Sequence, residues 1–164
     1  MNYHGIETDS MLNGDGLRVV LWVAGCEHHC KNCQNPETHD PKGGERFTIE
    51  TLVELLNYVS KDHIAGLTLS GGDPLYPDNI TTVSTICEVV KHAHPDKITW
   101  VYTGYTWEQV KKLPLMQHID VLVDGRYIEE LADVKYKWAG STNQRVIDVQ
   151  KSLELGGVVL HKGV

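Results

Sequence analysis

The sequence lacks the features that mark a membrane protein or a nucleic-acid-binding protein. Its 164 residues contain no apolar run long enough to span a bilayer, and the first ten residues lack the basic and apolar regions of a secretory signal. Acidic residues outnumber basic ones by 22 to 15, and no cluster of lysine and arginine is visible. We therefore expect a cytoplasmic protein that binds neither nucleic acid nor a membrane surface.

Cysteine is scarce and unevenly distributed. Only four cysteines are present, and Cys26, Cys30 and Cys33 fall within eight residues. Cys87 lies far from them and fits the buried face of a helix, so we interpret it as a small core residue. In a reducing compartment, clustered thiols indicate metal binding or redox chemistry rather than structural disulfides.

Strand-like runs alternate with amphipathic helices along the chain. The predicted strands are Leu17–Gly25, Gly66–Ser70, Ile98–Gly104, Ile119–Val123, a fifth within residues 140–149 and a last short one within residues 156–164. The predicted helices begin after Thr48, carry Cys87, and follow a capping box at Thr106–Gln109. This alternation predicts one α/β domain with a parallel sheet, either doubly wound or a partial (β/α) barrel, since a full barrel typically needs about 250 residues.

Each unusual segment follows a predicted strand. The cysteine loop follows the first strand, and the segments SGGDP (70–74), TGYT (103–106) and DGRY (124–127) follow the next three. Ligands of both candidate architectures bind at the carboxyl ends of the parallel strands. We therefore expect these four segments to meet at one rim of the sheet.

The three clustered cysteines admit three interpretations. A structural zinc site would need a fourth ligand, although zinc cysteines usually come in separated pairs. The candidate fourth ligands are His28, His29 and His39. A redox dithiol would use Cys30 and Cys33 and leave Cys26 unexplained. A [4Fe–4S] cluster normally takes one thiolate per iron, so three cysteines would leave one iron open for chemistry.

The pattern C-x₃-C-x₂-C after one strand, followed by G-G-D-P after the next, resembles the radical S-adenosylmethionine superfamily. Further segments resemble the activating proteins of anaerobic ribonucleoside-triphosphate reductase. These segments are Met1–Tyr3, Asn13–Arg18, Leu69–Pro77, Val101–Tyr105, Val121–Tyr127 and Gly140–Val146. The resemblance implies a partial (β/α) barrel spanning residues 1–164, a [4Fe–4S] cluster and S-adenosylmethionine. It also implies a glycyl-radical-generating activity on the large reductase protein, with an electron donor such as flavodoxin or a thioredoxin-type system.

The resemblance also assigns roles to residues. The implied cluster ligands and catalytic residues are Cys26, Cys30 and Cys33. The implied S-adenosylmethionine contacts are Asn32, Gln34, Gly71, Gly72, Asp73, Thr103, Asp124, Arg126 and Asn143, with Gly104 and Gln144 as further candidates. The glycine turn, Gly71 and Gly72, is expected to hold the ammonium group of the methionine moiety of S-adenosylmethionine, together with Asp73. Backbone carbonyls and a carboxylate suit an ammonium group, because it has three hydrogen-bond donors and no acceptor. Arg126 is expected to pair with the carboxylate of S-adenosylmethionine. Asp124 is expected to orient Arg126 or to touch the ribose of the same molecule.

The chain departs from the family pattern beside the third cysteine. Asn32 and Gln34 stand where relatives usually carry aromatic residues, so we expect adenine to be held there by hydrogen bonds rather than stacking. Asp15 replaces a proline in the segment Asn13–Gly16. His28 and His29 are predicted to be exposed loop residues.

Three other functions remain open at this stage. The chain could activate a different glycyl-radical enzyme, or act on a small molecule as 7-carboxy-7-deazaguanine synthase does. A non-catalytic zinc-binding interaction module is the alternative outside enzymology. We favour a protein substrate, because no segment of the chain is spare to cover the cavity and a partner loop would supply the shielding that radical chemistry requires.

Overall fold

A computed structural model describes residues 1–162 of the chain. In this range one mixed sheet of seven strands has the order β3-β1-β2-β4-β5-β6-β7. The strands are β1 Asn2–Ser10, β2 Arg18–Val23, β3 Glu45–Arg46, β4 Gly66–Gly71, β5 Ile98–Tyr102, β6 Val121–Asp124 and β7 Arg145–Asp148. The α-helices are α1 Ile49–Val59, α2 Ile80–Ala93, α3 Trp107–Val110 and α4 Val149–Leu155. None of the helices within these 162 residues is long and apolar enough to cross a membrane.

The centre of the sheet is parallel, as the strand–helix alternation predicts. Strands β2, β4, β5 and β6 run parallel to one another, and each lies within a few residues of its predicted position. The prediction of a parallel sheet is wrong at both edges, where β1, β3 and β7 pair antiparallel with their neighbours. The last predicted strand is reduced to a single bridge between Leu160 and Ile147, and residues 163–164 lie outside the described range.

Strand β1 was not predicted from the sequence. Its burial pattern is mostly intermediate or exposed, so it lacks the apolar alternation by which strands are recognised. It joins the sheet through its backbone, which pairs antiparallel with β2 on one side and with the two-residue strand β3 on the other. Every residue other than proline carries the backbone N–H and C=O groups that such pairing uses.

The helices begin where their capping residues predict. The Thr48 hydroxyl accepts a hydrogen bond from the Thr51 backbone N–H, 3.3 Å away, at the start of α1. The Thr106 backbone N–H donates to Gln109 Oε1 at 2.8 Å, although α3 is only one turn long. Helix α2 buries Cys87 completely, which confirms its interpretation as a core residue.

The two faces of the sheet bury different clusters. The larger cluster includes Leu55 and Val59 of α1 with Val83 and Ile86 of α2, packed on alternate residues of β2, β4 and β5. The smaller cluster lies around Trp100 and contains residues of β5, β6 and β7. Because β2, β4, β5 and β6 are parallel, their carboxyl ends open onto one rim, with both clusters beneath it.

A buried arginine joins the opposite, amino ends of the central strands. Arg18 is fully buried, and its Nε donates to Thr68 Oγ1 at 2.6 Å. Its terminal nitrogens donate to the carbonyl oxygens of Asp15, Leu67 and Ile98. Burial lowers the Arg18 pKa to about 10, and the four acceptors compensate for the lost water. This arrangement anchors the loop before β2 to the starts of β4 and β5.

We expect Arg18→Lys to destabilise the fold, because an ammonium group cannot reach four acceptors arranged around a planar guanidinium. Leaving buried acceptors without partners should lower the free energy of unfolding by roughly 1–3 kcal/mol in urea denaturation. Arg46→Lys, an exposed change in β3, is the matched control and should stay within about 0.5 kcal/mol. Equal effects of the two substitutions would contradict the anchoring role of Arg18.

Candidate active site

The cysteine loop is held in place by backbone hydrogen bonds across its base. The Gly25 N–H donates to the Thr38 carbonyl at 2.8 Å, and the Cys26 N–H donates to the His39 carbonyl at 3.1 Å. Within the loop His29 and Asn32 have positive φ angles of 48° and 51°. The loop therefore turns sharply twice between its ends, which lets all three cysteines reach one side of it.

The three cysteines line a cavity at the carboxyl ends of the parallel strands. Its volume is about 220 Å³, and Cys26, Cys30 and Cys33 are partly exposed free thiols in its wall. The glycine turn after β4 forms the facing part of the wall. The predicted site residues that line the cavity are Gln34, Gly71, Gly72, Asp73, Thr103, Gly104 and Gln144. Residues from all four strand-end segments line this cavity, which confirms the prediction that the segments meet at one rim of the sheet.

The glycine turn packs directly against the backbone of its neighbours. Gly71 has a φ angle of 110°, and a Cβ there would lie 2.7 Å from the backbone nitrogen and oxygen of Val23. A Cβ on Gly72 would lie 2.5 Å from the Gly25 carbonyl oxygen. Both contacts are closer than any real Cβ can tolerate, so the turn needs glycine to touch β2 and the cysteine loop.

Asp73 is buried behind this turn and accepts hydrogen bonds from several donors. The Thr103 hydroxyl lies 2.9 Å from both carboxylate oxygens, and the Gly104 N–H donates to Oδ2 at 2.9 Å. The Leu75 N–H donates to Oδ1 at 2.7 Å. The fourth partner is His28, whose Nε2 lies 2.6 Å from Oδ2. Direct contact between this carboxylate and an ammonium group stays a prediction.

The prediction that His28 is exposed is wrong. Only 7% of the residue is accessible, because its ring packs edge-on against Tyr105 and lies over Gly104. His29 is exposed, as predicted. No local pattern separates the two adjacent histidines, since the partner of His28, Asp73, lies 45 residues further along the chain.

Asp124 contacts a different arginine from the one predicted. Its Oδ1 accepts from Arg145 Nε at 3.1 Å, and its Oδ2 accepts from the Trp107 N–H at 2.7 Å. Arg145 also donates to Glu108, which lowers the pKa of that carboxyl to about 2. Asp124 therefore stabilises the start of α3 and orients Arg145, a residue that the sequence analysis did not single out.

Arg126 is exposed and makes no side-chain hydrogen bond or ion pair with any part of the chain that the structure describes. Its carbonyl oxygen accepts from Asn143 Nδ2 at 2.8 Å. Burial raises the pKa of Cys30, and the nearby Arg126 charge and Tyr127 backbone N–H act against that increase. Arg126 itself does not line the cavity, although its neighbours Gly125 and Tyr127 do.

The polar residues predicted to contact adenine and ribose are divided between the cavity and its rim. Gln34 lines the cavity, whereas Asn32 is exposed and donates to Glu129 outside the cavity lining. Asn143 lies on the exposed rim. Gln144 braces the loop after β6 by donating to the Gly125 carbonyl at 2.9 Å.

Comparison with known proteins identifies the family. Residues 12–147 match the family model of the 4Fe-4S single cluster domain. The anaerobic ribonucleoside-triphosphate reductase-activating protein of Enterobacteria phage T4 is 44% identical over 146 residues, covering 89% of this chain and 93% of that protein. The chain belongs to this family of activating proteins. Proteins of the same name from Vibrio cholerae (41% identity, 88% of this chain and 96% of that one) and Escherichia coli K12 (35% identity, 89% and 97%) extend the comparison.

The three cysteine thiols in the cavity wall suit an iron–sulfur cluster. Among residues 1–162, no three His, Cys, Asp or Glu side chains converge closely enough to hold a single metal ion. A four-iron cluster needs no such convergence, because each thiolate binds a separate iron. Burial raises the Cys26 pKa to about 11, and a bound iron would favour the thiolate form that this burial disfavours. The Asn35 N–H already donates to Cys33 Sγ at 3.4 Å.

We expect Gly72→Ala to disrupt the contact between the glycine turn and the cysteine loop. The added Cβ would meet two carbonyl oxygens, of Gly25 and Thr38, at 2.5 and 2.8 Å, and backbone atoms cannot give way as a flexible side chain does. Overpacking of this kind should lower the free energy of unfolding by roughly 1–3 kcal/mol. Urea denaturation of the wild type and of Gly72→Ala measures this loss of stability.

Gly5→Ala in β1 is the matched control for Gly72→Ala, since a Cβ at Gly5 would meet nothing within 4 Å. Its stability should change by less than about 0.5 kcal/mol. A Gly72→Ala protein as stable as the Gly5→Ala protein would show that the turn does not need its close approach.

Proposed function

We propose that this chain is a radical S-adenosylmethionine activase that generates a glycyl radical on anaerobic ribonucleoside-triphosphate reductase. The observation that carries the proposal is the placement of three cysteines and the glycine turn in the wall of one cavity. Three thiolates leave one iron of a [4Fe–4S] cluster open, beside the turn that would receive the methionine moiety. Cys87, the remaining cysteine, is buried in α2 and is not available as a fourth ligand.

The cysteine loop would hold the cluster through Cys26, Cys30 and Cys33. When bound, the cluster would supply one electron for the reductive cleavage of S-adenosylmethionine, which releases methionine and leaves a radical that takes a hydrogen atom from glycine. The protein's own contribution is position: the loop base, tied by the Gly25 and Cys26 backbone hydrogen bonds, keeps the three sulfurs on the cavity side.

The glycine turn and Arg126 would bind the two charged ends of the methionine moiety. Backbone carbonyls at Gly71 and Gly72 suit the amino group, because the missing side chains allow close approach. The Arg126 guanidinium, exposed and near Cys30, suits the carboxylate. Asp73 would support the turn from behind, through Thr103 and its other donors.

The adenosine moiety would extend from the cavity toward its rim. Gln34 in the cavity wall would offer an amide to adenine. Asn32 and Asn143 would have to leave their hydrogen bonds to the Glu129 side chain and the Arg126 carbonyl to take part. Asp124 would act indirectly, by ordering the loops around Arg145.

The target of the reaction would be a glycine loop of the large reductase protein. The curated relatives, which are named as activating proteins of that reductase, support this assignment. Glycine has no side chain, so its Cα–H can enter a shallow cavity, and the partner would exclude water there. A reducing donor such as flavodoxin or a thioredoxin-type system, in the cytoplasm, would supply the electron.

The mixed sheet would form the partial (β/α) barrel of the superfamily, within a single domain spanning residues 1–164. The four parallel strands, with α1 and α2 packed on the larger cluster, support this interpretation. The antiparallel strands would end the barrel on its two sides, β1 with the short edge strand β3 on one and β7 on the other.

The direct test combines the reduced protein, S-adenosylmethionine and the large reductase protein under anaerobic conditions. We expect a glycyl-radical doublet in the EPR spectrum and an equivalent amount of methionine. Omission of the reductase should abolish the doublet. Cleavage of S-adenosylmethionine without a doublet would contradict the reductase as target and would favour another glycyl-radical enzyme or a small-molecule substrate.

A second prediction concerns the metal. The anaerobically purified protein should be brown, should bleach in air, and should lose most of its iron and sulfide in Cys30→Ala. The matched control is Cys87→Ala, which removes a buried core thiol and should keep full iron content despite about 1 kcal/mol of lost stability. A colourless, air-stable protein containing zinc would contradict the enzyme assignment.

A further inference from the structure

The cavity wall contains an aromatic ring to which the proposed function gives no role. Tyr127 follows β6 and lines the cavity. A Cβ on Gly140 would lie 3.1 Å from Tyr127 Cδ2, so the ring packs against that glycine. The Gln34 side chain meets the same position, with its Nε2 3.4 Å from that Cβ. An aromatic ring and an amide group therefore lie side by side in the wall.

The backbone on both sides of Tyr127 is held by the segment that precedes β7. Asn143 Nδ2 donates to the Arg126 carbonyl at 2.8 Å, and the Ile128 N–H donates to the Ser141 hydroxyl at 3.1 Å. Ser141 is fully buried, so this second contact is shielded from water. The ring of Tyr127 therefore projects from a fixed position at the rim of the cavity.

Tyr127 and Gln34 are both close to the clustered thiols. The Tyr127 backbone N–H interacts with the Cys30 thiol, and Gln34 directly follows Cys33 in the chain. Within residues 1–162 Tyr127 takes part in no ring–ring or cation–π pair, so the fold makes no such use of its faces. A ligand bound through a cluster on these thiols would share the cavity with an uncommitted aromatic ring.

The other two large aromatic side chains of the cavity lining have partners within the chain. Trp22 donates its indole N–H to Glu7 Oε2 at 3.2 Å. Tyr102 interacts with the charge of Arg18, which lies at the amino ends of the central strands. Tyr127 is instead at the carboxyl ends, where the thiols are, and this position makes it the better candidate for contact with a ligand.

We propose that Tyr127 is a cofactor-binding residue whose ring stacks on the adenine of S-adenosylmethionine, beside the Gln34 amide at the edge of the same base. This inference rests on the proposed function. Proteins recognise unpaired bases by stacking them on aromatic rings and by hydrogen-bonding their edges. A glutamine amide offers a donor and an acceptor together, which complements the edge of adenine. Ser141 and Asn143 are positioning residues for this contact.

The first test replaces the ring with an apolar side chain that has no aromatic face, in Tyr127→Leu. Binding is measured by equilibrium dialysis on the iron-loaded protein without reductant, so that S-adenosylmethionine is not cleaved. We expect near wild-type iron content and affinity lowered roughly 5- to 150-fold, the range for loss of one aromatic–base stack. The matched control is Tyr58→Leu on α1, outside the cavity lining, which should bind as the wild type does.

Two comparisons identify the groups that meet. Tyr127→Phe keeps the ring face and should bind S-adenosylmethionine within about twofold of the wild type. Methionine, which has no base, should bind to the wild type and to Tyr127→Leu within about twofold of each other, since stacking needs the base. A phenylalanine variant as weak as the leucine variant would overturn stacking in favour of a contact through the hydroxyl. An equal loss for methionine would overturn the assignment to adenine.

The remaining outcomes also decide the proposal. Unchanged S-adenosylmethionine affinity in iron-replete Tyr127→Leu would overturn it and leave the proposed function intact. If Tyr127→Leu loses its iron, Tyr127→Met takes its place, with the same expected loss of affinity. Loss of iron from both variants would overturn the proposal, because the ring would then serve the cysteine loop. A wild type that holds its cluster but binds no S-adenosylmethionine would instead overturn the proposed function, and this inference with it.

Discussion

The buried carboxylate of Asp73 joins three parts of the chain that are far apart in sequence. It holds the Thr103 hydroxyl and the Gly104 N–H at the end of β5, the Leu75 N–H in its own turn, and the His28 ring in the cysteine loop. Burying a charge is costly unless hydrogen bonds replace its hydration, and these donors do so. The loops that shape the cavity consequently depend on one another, since loss of the carboxylate would release all of them.

Close backbone approach is the second constraint on the site. Gly71 contacts β2, Gly72 contacts the base of the cysteine loop, and Gly104 lies under the His28 ring. Each glycine has a different neighbour, but the physical requirement is the same: there is no space for a Cβ. The cavity is thus shaped largely by main chain, with the three cysteine thiols among the side chains on the loop side.

Much of the fold could be predicted from local patterns. The apolar runs of β2, β4, β5 and β6 and the buried stripes of α1 and α2 identify these elements, because helix and strand periodicities place apolar residues on one face. The polar strand β1 could not be recognised in this way, since it joins the sheet through its backbone. The antiparallel direction of β7 also escaped prediction, because a 20-residue connection without an α-helix leaves the direction of the next strand open.

The sequence by itself determined the chemistry of the site. The spacing of Cys26, Cys30 and Cys33 and the glycine pair at 71–72 needed no coordinates, since they are local and each follows a recognisable strand. The tertiary structure decided which polar side chains serve that site: His28 rather than His29 lies inside, and Asp124 orients Arg145 rather than Arg126. The physical reason is that burial and pairing depend on partners tens of residues away, which only the folded sheet brings within hydrogen-bonding distance.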